Sequence, residues 1–80
     1  MSKFKFTRYF EREVMRKRPY VTKEWCIPAV EHPLRVERQE DNRYRFWIDV
    51  PELGGRILRV VTLEDKISIH NAFLDRRFRP

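Results

Sequence analysis

Cysteine is almost missing from this chain. Cys26 is the only one, which excludes an internal disulfide and a multi-thiolate zinc site and suits a reducing compartment. Glycine is as scarce: Gly54 and Gly55 are the only two, adjacent in "LGG", without the further glycines and the Lys-Ser/Thr pair of a phosphate loop, so they mark a turn. No run of about 18 apolar residues occurs, and charges interrupt the opening "MSKFKFTRYF". Neither a membrane span nor a signal peptide is expected, and a cytoplasmic protein is. The two histidines, His32 and His70, stand far apart with no H-x₃-H spacing, so no metal site and no cofactor are expected.

Acidic residues are outnumbered. Eighteen Lys and Arg against twelve Asp and Glu leave a formal charge of +6 over 80 residues, and the sequence pI is about 10.0. Thirteen of the eighteen are arginine, whose planar fork fits phosphate oxygens and stacks on bases, where lysine acts more as a point charge. Nucleic acid and an acidic protein partner are the two counterparts such a balance suggests, and charge alone does not separate them. An apolar share of 41% with two Trp, three Tyr and six Phe is enough for one small packed domain over residues 1–80 and leaves no room for a second.

The first half of the chain has helical spacing. Thr7 is a candidate N-cap, Phe10 and Val14 follow at i, i+4 with Met15 alongside, and Pro19 ends the segment near Arg18. Arg8, Arg12 and Arg16 repeat at the same spacing and form a basic ridge. Thr22 is a second N-cap candidate, with Trp25, Cys26, Ala29 and Val30 on one face, although Pro28 removes the bond to the carbonyl of Glu24 and shortens or kinks that helix. His32, in "VEHPLR", is read as ending it near its negative pole.

From Leu34 onward the period changes to two. "LRVERQ", "RYRFWIDV", "RILRVVTL" and "KISIHN" read as four strands of an antiparallel meander, turned at "EDN", "PELGG" and "ED". The expected fold class is therefore α+β, two N-terminal helices packed on a four-stranded antiparallel sheet. A five-residue loop 51–55 pairs Val50 with Arg56 and sets Trp47 opposite Arg59. A two-residue turn at Glu64 and Asp65 sets Arg59 opposite His70. On this register Trp47, Arg59 and His70 form a row on the face away from the helices, beside Arg45. An arginine inside an apolar central strand is costly unless that face meets water or a ligand.

This row supplies a cast for RNA cleavage: His70 as acid or base, Arg59 as a catalytic cation, Arg45, Arg76 and Arg77 as phosphate clamps, and Trp47 as a base-stacking surface. Each residue has a plainer reading as well. His70 also reads as a solvent-facing histidine at a strand end. In "HNAFLDRRFRP", Phe73 and Phe78 also read as packing the last segment onto the domain rim, with Asp75 pairing an arginine and with Arg76 and Arg77 as surface charge.

"LRVVTLEDKISIHNAFLDRRF", following "EHPLRVERQEDNRYRFWIDVPELGG", resembles a group of short bacterial proteins that share an "NP-L-R-V-E" stretch after two helices, then "LRVVTLED", then "HNAF-DRRF". The likeness covers about residues 7 to 78. That group is similar to the RelE/ParE and BrnT toxin superfamily, whose fold is two helices against an antiparallel sheet. The resemblance implies a toxin of a toxin–antitoxin pair, either a metal-independent endoribonuclease or an inhibitor of a protein target. The RelE-type lysine, arginine and tyrosine set has no clear counterpart, so no catalytic residue is transferred. The expected partners are RNA or the ribosome, or an acidic antitoxin-like protein. Two further readings are a non-catalytic module that binds nucleic acid and one whose basic face docks an acidic protein. The edge at "LRVERQ" allows a homodimer, although its charges equally suit keeping copies apart.

Overall fold

A computed structural model describes residues 3–78; Arg79 of the basic C-terminal run lies outside them. The chain begins with a two-residue strand β1 (Lys5–Phe6) and a helical segment α1 over residues 8–17, which contains a π-helical turn Phe10–Val14 and an α-helical turn Met15–Lys17. Helix α2 (Lys23–Glu31) follows. Then come β2 (Arg35–Arg38), β3 (Tyr44–Val50), a 3-10 turn Pro51–Leu53, β4 (Arg56–Thr62) and β5 (Ser68–Leu74).

The strands form one sheet in the order β1-β5-β4-β3-β2. The expected four-stranded antiparallel sheet is thus corrected to a five-stranded mixed one, because β1 pairs in parallel with β5, Lys5 beside Ser68 and Phe6 beside Ile69. Two residues are too few to show an alternating pattern, so "FKF" gave no strand signal. The α+β class stands, but the sheet is not the four-stranded antiparallel one of a RelE-like fold.

Both expected caps are present. The Thr7 Oγ1 accepts from the Phe10 N–H at 3.2 Å, and the Thr22 Oγ1 accepts from the Trp25 N–H at 3.3 Å. The π turn, in which the Met15 N–H bonds to the Phe10 carbonyl, rotates the rest of α1 relative to a regular helix and breaks the i, i+4 alignment of Arg8, Arg12 and Arg16. Pro28 sits inside α2, which nonetheless runs unbroken to Glu31.

The helices cover one face of the sheet. Phe10 and Val14 of α1 and Cys26 and Ala29 of α2 meet Phe46, Val50, Leu58, Val60, Ile69 and Ala72 in a single cluster. Burial pushes the Cys26 thiol up to about 12. At neutral pH it is an apolar core group.

Two positive-φ glycines, Gly54 at 70° and Gly55 at 77°, close the 51–55 loop, and Val50 pairs with Arg56 and Trp47 with Arg59, as the spacing predicts. The next hairpin differs from expectation. Glu64 and Asp65 lie inside a turn in which the Lys66 N–H bonds to the Leu63 carbonyl, Lys66 takes a φ of 62°, and the Leu63 N–H bonds to the Ser68 carbonyl. A two-residue hairpin turn needs positive φ at its first position, in type II′, or at both, in type I′, which Glu64 favours little, and the chain takes the longer loop. Asp65 holds this loop by accepting from the Ile67 and Ser68 N–H groups and the Ser68 hydroxyl.

Beyond it, Thr62 pairs with Ile69 but Val61 pairs with Asn71, so His70 is an extra, bulged residue. The bulge reverses which face the rest of β5 presents. Ala72 enters the core, and Arg59 pairs with Phe73 rather than His70.

Leu58 is fully buried at the centre of the core. Leu58→Ala is expected to cost about 3 kcal/mol in urea unfolding. A loss under about 1 kcal/mol would mean that this sheet face is not the core. Cys26 is expected to resist a thiol reagent in native buffer and to react at once in denaturant, so rapid labelling of the native protein would contradict its burial.

Candidate anion site on the open sheet face

On the face away from the helices, β3, β4 and β5 carry Arg45, Trp47, Arg59, Val61, Asn71 and Phe73 in the observed register. A cavity of about 380 Å³ opens there, lined by Tyr9, Gln39, Arg43, Arg59, Val61, His70, Asn71 and Phe73. Arg59 and His70 are not ladder partners, yet they line one cavity, because the bulge turns His70 toward β1 and the start of α1. His70 is fixed there from two sides. Its Nδ1 lies 3.0 Å from the Thr7 Oγ1, and its ring stacks on Tyr9 with centroids 4.8 Å apart.

The Thr7 hydroxyl oxygen also takes the Phe10 N–H, so a single residue caps α1 and orients the imidazole. Either tautomer satisfies the Thr7 contact. Burial, and then the nearby Arg43 guanidinium, hold the His70 pKa below its ordinary value of 6.5. A pKa held down in this way favours the neutral ring, the form able to accept a proton, at pH 7.

Arg59 is held by packing. Its guanidinium lies over the Phe73 ring at 4.4 Å from the centroid, and Arg18 faces the same ring at 5.6 Å. The Arg59 Nε is 3.8 Å from the Asp75 Oδ2, within ion-pair range but too long for a hydrogen bond. Among the described residues, the Nε atoms of Arg45 and Arg59 are the buried side-chain N or O atoms without a hydrogen-bond partner. Both Nε atoms are enclosed by their own packing, and of the two arginines Arg59 alone lines the His70 cavity.

The other residues of the expected cast are dispersed. Trp47 is only 4% exposed: its Nε1 donates to the Asp75 Oδ2 at 2.9 Å, and the Phe78 ring stacks on it at 5.3 Å. The C-terminal segment covers the indole, which is therefore no open platform for a base. Of the plainer reading, Phe78 packs the tail and Asp75 lies in ion-pair range of Arg59, whereas Phe73 lies beneath the Arg18 and Arg59 guanidinium groups. Arg77 reaches a second cavity of about 440 Å³ with Arg35, Glu37, Trp47, Arg59, Asp75 and Phe78. Arg45 lies nearer the β2–β3 turn, 4.0 Å from Glu37, and Arg76 is exposed beside Gly55 and Arg56 on the far side of the tail. Neither Arg45 nor Arg76 lines the His70 cavity.

Asp75 fastens the tail. Burial alone would raise its carboxyl, but bonds from the Trp47 indole and the Arg77 N–H, together with the Arg59 charge, outweigh it and hold the pKa below the ordinary 3.8.

Sequence reading missed Tyr9, Thr7 and Arg43. The first two reach His70 only through the parallel strand and the bulge, neither of which leaves a periodic signal. Arg43 follows Asn42, whose φ of 62° turns the chain from β2 into β3. Among the described residues no cluster of three or more metal-ligating side chains occurs, and no helix is long and apolar enough to cross a membrane. Comparison of the chain with protein-family models, curated proteins and solved structures finds no match in any of the three.

The His70 ring protons are expected to titrate below 6.5 by NMR, and Arg43→Gln should move the midpoint upward. Between that lowered midpoint and 6.5, the unfolded chain binds a proton that the folded chain refuses. Stability then rises with pH across that window and, for this group, is constant above it. A midpoint at or above 6.5 would mean that the ring is solvated and remote from Arg43.

Proposed function

We propose that this protein binds RNA on the open sheet face and cleaves it, acting as a toxin-like, metal-independent endoribonuclease in the cytoplasm, where RNA and ribosomes are found. The observation that carries the reading is the convergence of a doubly anchored imidazole with Arg43 and Arg59 in one cavity. Proton transfer and stabilisation of a pentacovalent phosphate are the two demands of RNA transesterification.

In the proposed reaction the His70 Nδ1–H donates to Thr7, and Nε2 takes the proton from a ribose 2′-hydroxyl. The 2′-oxygen then forms a bond to phosphorus, the bond from phosphorus to the 5′-oxygen breaks, and the leaving oxygen takes a proton from water. A 2′,3′-cyclic phosphate and a 5′-hydroxyl result. Arg43 and Arg59 face the phosphate oxygens as negative charge grows on them. Gln39 and Asn71 line the same cavity and supply neutral hydrogen-bonding groups for a base or ribose. The +6 charge favours encounter with a polyanion and makes it sensitive to salt.

Purified protein incubated with total RNA, with and without ribosomes, is expected to yield fragments ending in cyclic phosphate. His70→Ala and Arg59→Ala, each folded by circular dichroism, should each lower the rate at least 100-fold. No cleavage by the wild type under either condition would sink the nuclease reading. Salt-dependent RNA binding without cleavage would leave a non-catalytic nucleic-acid module, and binding of neither RNA nor ribosome would point to an acidic protein partner.

A further inference from the structure

Strand β2 ends the sheet at the opposite side from β1, and all four of its residues are exposed. Leu34 and Val36 are large apolar side chains left 54% and 46% exposed beside or on this edge. Its backbone pattern can be read from the adjoining turn. The Gln39 N–H bonds to the Arg43 carbonyl, and Arg35 and Glu37 are matched with Trp47 and Arg45 at two-residue steps from that pair. Hydrogen-bonded pairs alternate along an antiparallel ladder, so the main-chain groups of Arg35, Glu37 and Gln39 face β3, and those of Val36 and Arg38 face outward. Leu34 directs its N–H inward as well, to the Trp47 carbonyl at 2.7 Å.

We infer that this edge pairs with the same edge of a second copy, in an antiparallel register centred on Val36. The geometry and the charges select that register together. An isologous antiparallel pair must place outward-facing groups opposite each other, which leaves centres at alternate residues or at the residues between them. A centre on Val36 exchanges its two outward main-chain bonds with the partner copy and sets Arg35 opposite the partner's Glu37, and Glu37 opposite the partner's Arg35. These are non-hydrogen-bonded pairs, in which side chains approach most closely. A centre on Glu37 would put two carboxylates face to face, and one on Arg38 two guanidinium groups, each destabilising.

Within one chain, Arg35 and Glu37 are already 3.8 Å apart on the open face. Pairing across the two-fold extends that contact into a four-membered network and brings Val36 against its symmetry mate. Charges that would otherwise guard an edge against pairing are here self-complementary.

The two-fold axis stands perpendicular to the sheet. Both open faces therefore lie on one side of a ten-stranded sheet, and their candidate cavities sit roughly 30 Å apart, taking about 4.8 Å per strand. The second copy doubles the cationic surface on that side. The paired segment is short and buries less than the about 1,200 Å² of a typical stable interface, so the dimer exchanges with monomer. The inference does not depend on what the His70 cavity binds.

Sedimentation equilibrium over a concentration series up to about 1 mM tests it. The expected mass rises from the 10.0 kDa of the chain toward twice that value. Val36→Pro deletes an outward N–H that the monomer does not use, so it should leave the circular dichroism spectrum unchanged and abolish the rise. Arg35→Glu should weaken the dimer at least 10-fold by setting carboxylate against carboxylate, and the swap Arg35→Glu with Glu37→Arg should restore it. A wild type that stays monomeric throughout, a dimer indifferent to Val36→Pro, or a swap that restores nothing would each overturn the proposal.

Discussion

His70 is the unpaired residue at which the register between β4 and β5 moves from Thr62–Ile69 to Val61–Asn71, and the composition of both sheet faces follows from it. A residue inserted into a period-two ladder exchanges inside for outside for every residue after it. Ala72, small enough to lie beneath the helices, enters the core, while Asn71 and Phe73 reach the open face. Phe73 then supports two arginine side chains, and the chain leaves β5 on the line that carries Asp75 to Trp47. Without the bulge, Asn71 and Phe73 would compete for the space beneath α1 and α2, and the arginines would lose the ring on which they rest.

The bulge in turn depends on β1. A bulged histidine facing only water would gain little from leaving the ladder, but Thr7 and Tyr9 give it a hydrogen bond and a ring contact. Thr7 is placed by the parallel pairing of Lys5 and Phe6, and its own N–H bonds to the Ile69 carbonyl at 3.0 Å. Strand β1 is too short to contribute much as a strand. It contributes by setting where α1 begins and what meets His70.

The two helices, their threonine caps, the three main hairpin partners and the register of Trp47 with Arg59 were all legible in the sequence, because each rests on a local signal: a cap residue, a spacing of three or four, an alternation, a pair of glycines. The parallel strand and the bulge were not. Lys5 and Phe6 are strand residues only because Ser68 and Ile69 arrive beside them about sixty residues later, and no window of sequence contains both. The turn after β4 was misread for a different reason. "ED" looks like a minimal hairpin loop until its backbone demands are considered, and Lys66 rather than a glycine takes the left-handed position. The cavity residues divide the same way: Arg59 was found through a local argument about a charge in an apolar strand, whereas Arg43, Tyr9 and Thr7 join it only through long-range pairing.

The C-terminal segment divides the open face into two environments that share Arg59. On one side Trp47, Phe78 and Asp75 form a closed patch in which an indole, a ring and a carboxylate satisfy one another. On the other, His70 and Arg43 lie in a cavity whose described lining residues include no carboxylate. Arg59 is held by the first and faces the second, with its Nε drawn toward Asp75 but not bonded to it. An arginine with a fully bonded carboxylate partner would already be neutralised, and one with no carboxylate nearby would be free to swing into solvent. Held by Phe73 and steered by a carboxylate 3.8 Å away, this guanidinium keeps its orientation and much of its unspent charge. A cation positioned before a ligand arrives is what the proposed binding of a phosphate asks of Arg59.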